Sequence, residues 1–342
     1  MKIKSSYGVL LKKLLIVTVI FFIVTIVSAH IYLNRVVYTV TEERSITIPK
    51  GESISNLVKK IEDKGFSGSK FELKIWNKIY GGFKDVKYGK YILKKDESYS
   101  YSSLLKKFST GESETYKVVI REGLKSDKVI KELSEKSKIS VEKFKKYLNS
   151  KEFKDKFPEI KGYEGFLYPD TYNFPVEYNE KNIIDHLVKR SLKLIKRFDR
   201  EIKNSNLSIY EIVTLASIIQ GEVQYLPERF KVSAVYNNRL KKNMLLQADP
   251  TIQYLFEKPK RLLFKDLEID SKYNTYKYKG LPPTPINNPS IIMIEAALKP
   301  MKVDFLYMVA KGDGTHYFNN NFEDHKRDKR ELDLLRKKVY GN

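Results

Sequence analysis

An uninterrupted apolar run near the amino terminus constrains this chain more than any other feature. From Leu14 to Leu33 no residue is Asp, Glu, Lys or Arg, and most are Leu, Ile, Val or Phe. About 20 residues rising ~1.5 Å each form a helix roughly 30 Å long, which matches the apolar core of a bilayer. The run therefore predicts a transmembrane anchor, and we assign residues 1–40 to a cytoplasmic amino terminus and this anchor.

The charges that flank the run predict its orientation. Lys2, Lys4, Lys12 and Lys13 precede it, and basic residues favour the cytoplasmic side of a membrane. We expect a single-pass protein of the cell membrane whose remaining chain lies outside the cytoplasm. A cleaved signal peptide is the alternative, because residues 27–29 (VSA) resemble a cleavage site, but the run is longer than a usual signal core.

Composition narrows the available chemistry. The 342 residues allow two or three domains with sizeable cores. The absence of Cys excludes disulfide bonds and thiolate metal sites. With four His the sequence disfavours a zinc enzyme, although His316 and His325 could contribute to a carboxylate-rich site. We expect no metal and no other cofactor.

The formal net charge of +22 indicates an anionic partner. Nucleic acid, a membrane surface and an acidic polymer all satisfy this charge, and plain compositional bias would also produce it. Because the anchor and the signal peptide both export the chain, nucleic acid is a poor partner and a cell-wall polymer is a good one.

Strand-like and helix-like segments alternate behind the anchor, which predicts an α+β fold. Strand-like segments at 45–48, 91–93 and 116–120 each lead through a turn into a helical pattern. We divide the chain into a small α+β module at 41–114, a connecting α+β region at 115–205 and a mixed α+β domain at 206–342. We also predict a solvated, lysine-rich helix at 140–157 and a hairpin formed by 305–309 and 317–318.

The most informative stretch is a predicted helix from Ser208 to Glu222. Ser208 and Glu211 form a capping-box pattern, in which a hydroxyl and a carboxylate bond the first free amides of a helix. Glu222 follows Ile219 by three residues, so the helix places its carboxyl on an apolar stripe. This stripe, at helical spacing, consists of Ile209, Ile212, Val213, Ala216 and Ile219.

That position makes Glu222 a candidate catalytic residue. Loss of water raises the pKa of a carboxyl because it disfavours the charged form. A Glu that is protonated near neutral pH can serve as a general acid. The alternative is a surface Glu at a fraying helix end, helped by Gly221, and spacing by itself leaves both interpretations open.

Six ordered motifs occupy roughly the last half of the chain. They are 164–172 (EGFLYPDTY), 215–222 (LASIIQGE), 234–240 (AVYNNRL), 246–254 (LQADPTIQY), 273–276 (YNTY) and 280–289 (GLPPTPINNP). In this order the motifs resemble the YceG-like family of endolytic murein transglycosylases, and the membrane-anchored layout of the rest of the chain fits the same family. Residues 45–114 weakly resemble the LysM-like domain that precedes the catalytic part in this family, although generic strand–helix repeats would look similar.

The resemblance implies an activity and a catalytic residue. In this family one Glu protonates the glycosidic oxygen of the murein glycan and then, as a carboxylate, deprotonates the C6 hydroxyl of the sugar. The hydroxyl closes on C1 and leaves a 1,6-anhydro-N-acetylmuramic acid end, with no water consumed. The family's catalytic Glu falls on Glu222, and 206–342 would be the catalytic transglycosylase domain.

The same resemblance implies polar residues that converge near Glu222 and bind the substrate. Bracing between helix and loop is the alternative role for Asn238 and Arg239. Asp249 precedes a Pro and could only set the turn, although at glycosidase distance from Glu222 it would favour hydrolysis. The implied substrate-binding residues are Ser217, Asn238, Gln247, Asp249, Thr251 and Asn274.

Aromatic residues are interleaved with polar groups over 158–175. Such side chains can stack on the C–H faces of sugar rings, or they can pack a loop beneath the catalytic domain. The sequence does not decide between the two. The aromatics are Tyr163, Phe166, Tyr168, Tyr172 and Phe174.

One departure from the family bears on activity. The family often has Glu-x-Glu at the end of this helix, where the chain has Gln220, Gly221 and Glu222. Gln220 motivates an alternative function, a catalytically silent, membrane-tethered scaffold that binds peptidoglycan. A true hydrolase of the same substrate is a second alternative.

The resemblance also implies partners. The substrate would be nascent, poorly crosslinked peptidoglycan glycan strands, cut close to the membrane so that strand elongation is terminated or trimmed. Peptidoglycan synthases of elongation or division would be protein partners.

Overall fold

The computed structural model describes residues 2–49, 52, 54–63, 65, 71, 78, 86–110 and 114–340. The chain forms two compact units. The first comprises 1–116 with 175–177, and the second comprises 117–174 with 178–342. Helices and small two-stranded sheets occur in both units, so the predicted α+β class is confirmed.

The first helix, α1 (Lys2–Leu33), contains the apolar run. Its stretch from Lys13 to Tyr32 is long and apolar enough to cross a membrane. Apolar side chains along it are exposed, with Phe21 at 71%. The hydroxyls of Thr18 and Thr25 donate to carbonyls one turn back, so neither needs a partner outside the helix. Such a helix fits a membrane anchor.

Among its described residues, the rest of the first unit contains two antiparallel strand pairs and two helices. β1 (Val36–Thr39) pairs with β4 (Ser98–Ser100), and β2 (Arg44–Ile48) pairs with β3 (Gly89–Leu93). The helices are α2 (Ile54–Glu62) and α3 (Tyr101–Thr110). Its core is a cluster of buried apolar side chains that includes Ile46, Leu57, Tyr91, Leu93, Leu104 and Phe108.

The strands predicted at 45–48 and 91–93 are confirmed. Parts of the predicted module at 41–114 lie outside the described residues, namely 50–51, 53, 64, 66–70, 72–77, 79–85 and 111–113. The LysM-like character of this module stays a prediction.

The second unit begins with strands and short helices. β5 (Thr115–Val119) pairs with β6 (Thr171–Pro175). The helices are α4 (Ser126–Ser137), α5 (Val141–Leu148), α6 (Lys151–Lys156), α7 (Glu180–Ile195) and α8 (Asp199–Lys203).

The single solvated helix predicted at 140–157 is wrong. Two helices, α5 and α6, take its place, and α5 packs against α7. The side chain of Ser150 accepts from the Phe153 amide and starts α6 as its cap. Apolar side chains on both helices are buried: Phe144, Tyr147, Leu148, Phe153 and Phe157.

The remaining elements surround a buried helix, α9 (Ile209–Glu222). The predicted capping box is present, because Ser208 and Glu211 bond each other's amides. The burial is wider than the predicted stripe, since every residue from 212 to 219 is buried. Around α9 lie α10 (Arg229–Lys241), α11 (Asp249–Gln253) and α12 (Ile291–Leu298).

The chain ends in the predicted hairpin and a helix. β7 (Tyr307–Ala310) pairs antiparallel with β8 (His316–Asn319), and Ala310 lies opposite His316. α13 (Phe322–Tyr340) follows. Residues 117–174 and 178–342 form one compact unit, and the functional division that we draw at residue 205 stays a prediction.

Gly165 allows the 164–172 loop to pack directly on α9. Its φ is 89°, and an added Cβ would lie 2.6 Å from Pro285 Cβ and 2.8 Å from Val213 Cγ1. Gly280 has a similar φ of 83°, but an added Cβ there meets nothing within 4 Å. The two glycines therefore differ in available space and not in backbone conformation.

We expect Gly165→Ala to destabilise the protein more than Gly280→Ala. The left-handed backbone costs either variant about 1–2 kcal/mol, and the collision at Gly165 adds about 1–3 kcal/mol. Denaturant unfolding of the detergent-solubilised protein measures both free energies. Equal losses in the two variants would contradict this packing.

Candidate active site

Glu222 is the last residue of α9, and its side chain is 20% exposed. Gly221 precedes it, and a Cβ there would lie 2.6 Å from Pro250 Cβ. The glycine thus lets the first turn of α11 pack against the end of α9. Because α11 begins at Asp249, this packing brings a second carboxylate close to Glu222.

Two side chains from other elements face the Glu222 carboxyl. The Tyr236 hydroxyl of α10 donates to Oε2 over 3.3 Å. His316 Nε2, at the start of β8, lies 3.9 Å from Oε1. The carboxyl therefore lies between a phenol and an imidazole, while α9 supplies its apolar side.

His316 is held by a second Glu. Its Nδ1 lies 2.9 Å from Glu228 Oε2, and its backbone amide donates to the same carboxylate. Glu228 is only 8% exposed. Because a carboxylate accepts at Nδ1, that nitrogen carries the hydrogen and Nε2 is the one directed at Glu222.

The environment of Glu222 raises the pKa of its carboxyl group toward neutral pH. Burial is the main cause, and with the negative charge of Asp249 it raises the pKa of Glu222 to about 7. The electrostatic effect of the His316 side chain, the hydrogen bond from Tyr236 and the charge of Arg239 act in the opposite direction. Near neutral pH the group can therefore donate a proton and later accept one.

Arg239 braces the cleft by bonding a helix to the neighbouring loops, the role that the sequence offers as an alternative to substrate binding. It is buried, and its guanidinium donates to the carbonyl of Leu306 over 2.6 Å, to that of Leu246 over 2.9 Å and to Gln247 Oε1 over 3.2 Å. These bonds join α10 to the residue before β7 and to the loop before α11. The Arg239 guanidinium, whose charge acts on the pKa of Glu222, therefore donates to oxygens other than those of Glu222.

Two predicted substrate-binding residues are exposed and connect to the surroundings of Glu222. Asp249 accepts from the Tyr276 hydroxyl over 2.5 Å, and its charge acts on the pKa of Glu222. Gln247 is exposed with a φ of 49°, and it accepts from Arg239. Both have polar groups that can reach a ligand.

The other four predicted substrate-binding residues are bonded to the protein. Ser217 and Thr251 are fully buried, and each hydroxyl donates to a backbone carbonyl over 2.7 Å. Asn274, also fully buried, donates to two carbonyls of the preceding loop, and Asn238 donates to the carbonyls of Val303 and Phe305. This geometry gives them supporting roles, and direct contact with a substrate stays a prediction.

Sequence reasoning missed four residues of the cleft. In the sequence, Tyr236 and Tyr276 are noted only as members of the motifs 234–240 and 273–276. His316 was considered as a metal ligand, and Glu228 was not singled out. Within the described part of the chain no group of three or more acidic, His or Cys side chains could hold a metal ion.

Gln220 has a structural partner at the start of α12. Its Oε1 accepts from both the amide and the hydroxyl of Ser290, each over 3.0 Å. Ser290 is the cap of α12 and is buried, so Gln220 satisfies a donor that the helix itself leaves free. An amide oxygen can fill this role as a carboxylate oxygen would.

Comparisons with known proteins give the relatives of this chain. A model of the YceG-like family matches residues 46–331. An endolytic murein transglycosylase of Bacillus subtilis (strain 168) is 32% identical over 303 residues, with 83% of each chain covered. One from Streptococcus pneumoniae (strain D39) is 28% identical over 318 residues; 83% of this chain is covered, but only 57% of the relative.

A solved structure agrees with these matches. The crystal structure of a YceG-like protein from Listeria monocytogenes superposes with a TM-score of 0.58 and 33% sequence identity. The superposition covers 84% of this chain and 99% of the other.

Two substitutions should move the pKa of Glu222 in opposite directions. Tyr236→Phe removes a hydrogen bond that favours the carboxylate, so the pKa should rise. Asp249→Asn removes a like charge, so the pKa should fall. We expect about one unit in each case, measured by a carbon-13 NMR titration of the Glu222 carboxyl. Shifts of the same sign would contradict the arrangement.

Two substitutions of Gln220 test its structural role. Gln220→Ala leaves the buried Ser290 donors without their acceptor and should cost about 1–3 kcal/mol of stability. Gln220→Glu keeps an acceptor oxygen and should change stability much less. Denaturant unfolding provides the comparison, and equal losses from Ala and Glu would exclude the proposed hydrogen bonds.

Proposed function

The chain belongs to the YceG-like family, and on that premise we propose that it uses Glu222 to cut the glycan of peptidoglycan. Its relatives are named endolytic murein transglycosylases, and this chain is a lytic transglycosylase that acts on peptidoglycan. We infer further that it cleaves the bond between N-acetylmuramic acid and N-acetylglucosamine and leaves 1,6-anhydro ends. The observation that supports this most is a carboxyl whose pKa burial raises to about 7.

In the first step the protonated Glu222 gives its proton to the glycosidic oxygen. The bond from that oxygen to C1 of the muramic acid breaks, and the departing sugar leaves with a free hydroxyl. Positive charge develops on C1 and its ring oxygen, as in other glycosidic cleavages. Tyr236 donates to the carboxylate that Glu222 has become, and His316 faces its other oxygen.

In the second step the Glu222 carboxylate takes the proton of the C6 hydroxyl. The C6 oxygen attacks C1 and closes the 1,6-anhydro ring, so no water enters the product. Glu222 is protonated again and ready for another turnover. A pKa close to neutral suits both steps, because neither protonation state is strongly favoured.

Asp249 is positioned for the charge that develops between these steps. Its bond from Tyr276 fixes a carboxylate near Glu222, where it can stabilise the cation on the sugar ring. Gln247 offers an exposed amide for substrate hydroxyl or N-acetyl groups. The cleft is supported by the hydrogen bonds that four further side chains make to the protein itself, namely those of Ser217, Asn238, Thr251 and Asn274.

The location that we propose follows from α1. A single apolar helix fits an anchor in the cell membrane, and the lysines before it favour a cytoplasmic amino terminus. The catalytic unit would then face nascent glycan strands outside the cytoplasm, where cutting would terminate or trim their elongation. Peptidoglycan synthases would be its partners.

The proximity of Asp249 to Glu222 favours one competing function. A second carboxylate can activate water, which would make the protein a hydrolase. The two reactions differ in their products. The hydrolase leaves reducing ends that contain one oxygen from water, and the transglycosylase leaves anhydro ends that are lighter by one water.

Mass spectrometry of digested glycan strands distinguishes these functions. In water labelled with oxygen-18, the wild-type protein should release unlabelled anhydro ends. Glu222→Gln cannot give up a proton, so we expect its rate to fall about 100- to 10,000-fold.

Other outcomes would overturn specific parts of the proposal. Labelled reducing ends would establish the hydrolase. Absence of product from folded wild-type protein would favour the silent scaffold. Undiminished anhydro product from Glu222→Gln would remove this residue from catalysis, and Gln220→Glu serves as the matched variant that keeps Glu222.

A further inference from the structure

The second unit contains a cavity that the proposed mechanism does not use. It has a volume of about 350 Å³. Exposed residues on its rim, among them Asn149, Lys154 and Lys161, show that it reaches the surface. Its principal lining is formed by Phe153, Tyr163, Glu164, Tyr210, Tyr254 and Tyr273.

Glu164 is the acidic group of this cavity that is most removed from water. Its Oε1 accepts from the amide and the hydroxyl of Ser126, each over 2.9 Å, at the start of α4. Burial nevertheless raises the pKa of Glu164 to about 7, although these bonds and Lys125 favour the charged form. A carboxyl in this state can both donate to a ligand hydroxyl and accept from one.

The aromatic walls are fixed by their own contacts. The rings of Tyr254 and Tyr273 have centroids 4.9 Å apart, and the Tyr273 hydroxyl lies 2.8 Å from Thr284 Oγ1. Lys125 Nζ lies 4.9 Å from the centroid of the Tyr254 ring and donates to the Tyr254 carbonyl over 2.8 Å. The walls are therefore set before any ligand arrives, which lowers the cost of binding.

Three segments run from this cavity to the catalytic cleft. In α9, Tyr210 lines the cavity and Glu222 lines the cleft. At 1.5 Å per residue, these two residues are about 18 Å apart along the helix. α11 starts at Asp249 in the cleft, and Tyr254 follows its last residue. The third segment runs from Tyr273 to Tyr276. One sugar residue is too short to occupy both places, but a glycan strand is not.

We propose that this Glu164 cavity is a second saccharide-binding site, which holds an N-acetylglucosamine residue of the strand away from the bond that is cut. Aromatic faces suit the C–H faces of a sugar ring, and Glu164 with the tyrosine hydroxyls suits its polar edge. An apolar ligand could use the aromatic faces, but it would offer no hydrogen bond to those polar groups. N-acetylglucosamine lacks the lactyl group and stem peptide of muramic acid, so it is the smaller of the two sugars and needs less room among the aromatic side chains.

This inference rests on the proposed function, so its first test avoids catalysis. In the Glu222→Gln background, chitotetraose (a neutral oligomer of N-acetylglucosamine) is titrated by calorimetry. Tyr163→Ala removes a wall, and Glu164→Gln keeps an oxygen for Ser126 while removing the acid. We expect each to weaken binding about tenfold. Tyr278→Ala, at an exposed tyrosine bonded to Asp270, is the matched control with unchanged affinity.

Unchanged affinity in both cavity variants would overturn the proposal. Displacement of chitotetraose by a free stem peptide in the Tyr278→Ala control, but not in the cavity variants, would assign the cavity to peptide instead. Thermal unfolding of each variant shows whether a loss of binding reflects a loss of fold. Glu164→Gln, being isosteric, provides the answer if Tyr163→Ala does not fold.

The second test uses strand length in the active protein. A strand long enough to reach both sites should be cut with a higher kcat/KM than a tetrasaccharide. Tyr163→Ala should lower the ratio of these two kcat/KM values toward one. A general structural defect would lower kcat/KM for both substrates and leave their ratio unchanged. The two proposals can also fail separately. If chitotetraose binds at the cavity but the wild-type protein releases no anhydro product from glycan strands, the proposed function is refuted and the second site remains supported.

Discussion

Removal of water from one carboxyl group is the constraint on which the catalytic cleft depends. α9 is buried from 212 to 219 and ends at Glu222, so the acid extends from the apolar interior. A nearby Asp249 reinforces the effect of burial. A direct bond from a strong cation would reverse it, and Arg239 is instead engaged by backbone carbonyls and Gln247. The raised pKa of Glu222 thus depends on which groups the neighbouring charged side chains bond to.

Much of the polar chemistry in the sequence motifs supports the backbone of loops. Asn288 accepts from the amide of Leu167 and donates to the carbonyl of Leu124, so one side chain ties two distant loops together. Ser217 accepts from the amide of Ile286 in the same way. Long irregular segments need such bonds because their buried amides and carbonyls have no ladder or helix to pair with.

The same rigid elements link the cleft and the Glu164 cavity. α9 has the cavity residue Tyr210 near its first turn and the candidate acid Glu222 at its last position. α11 and the 273–276 segment likewise run from the cleft to the cavity. A polymer bound along these elements would be held at two fixed points. Such binding would select internal positions of a strand, which is what an endolytic cut requires.

Local sequence patterns were sufficient where one segment carries the whole signal. The capping box at Ser208, the helix that ends at Glu222 and the hairpin of β7 and β8 were predicted from short-range spacing and are confirmed. The helix at 140–157 was not, because its lysines suggested solvation while α7 covers its apolar side chains. The exposure of a side chain depends on which other elements pack against it, and the sequence of one segment does not reveal those elements.

The sequence by itself determined the apolar amino-terminal helix, the α+β class and the identity of the candidate acid, since each depends on residues close together in the chain. Only the tertiary structure decided which groups surround that acid. Tyr236, Asp249 and His316 come from α10, α11 and β8, and Glu228, directly before α10, holds the imidazole of His316. Their effect on Glu222 falls off with distance and depends on burial, and both quantities exist only once the chain has folded.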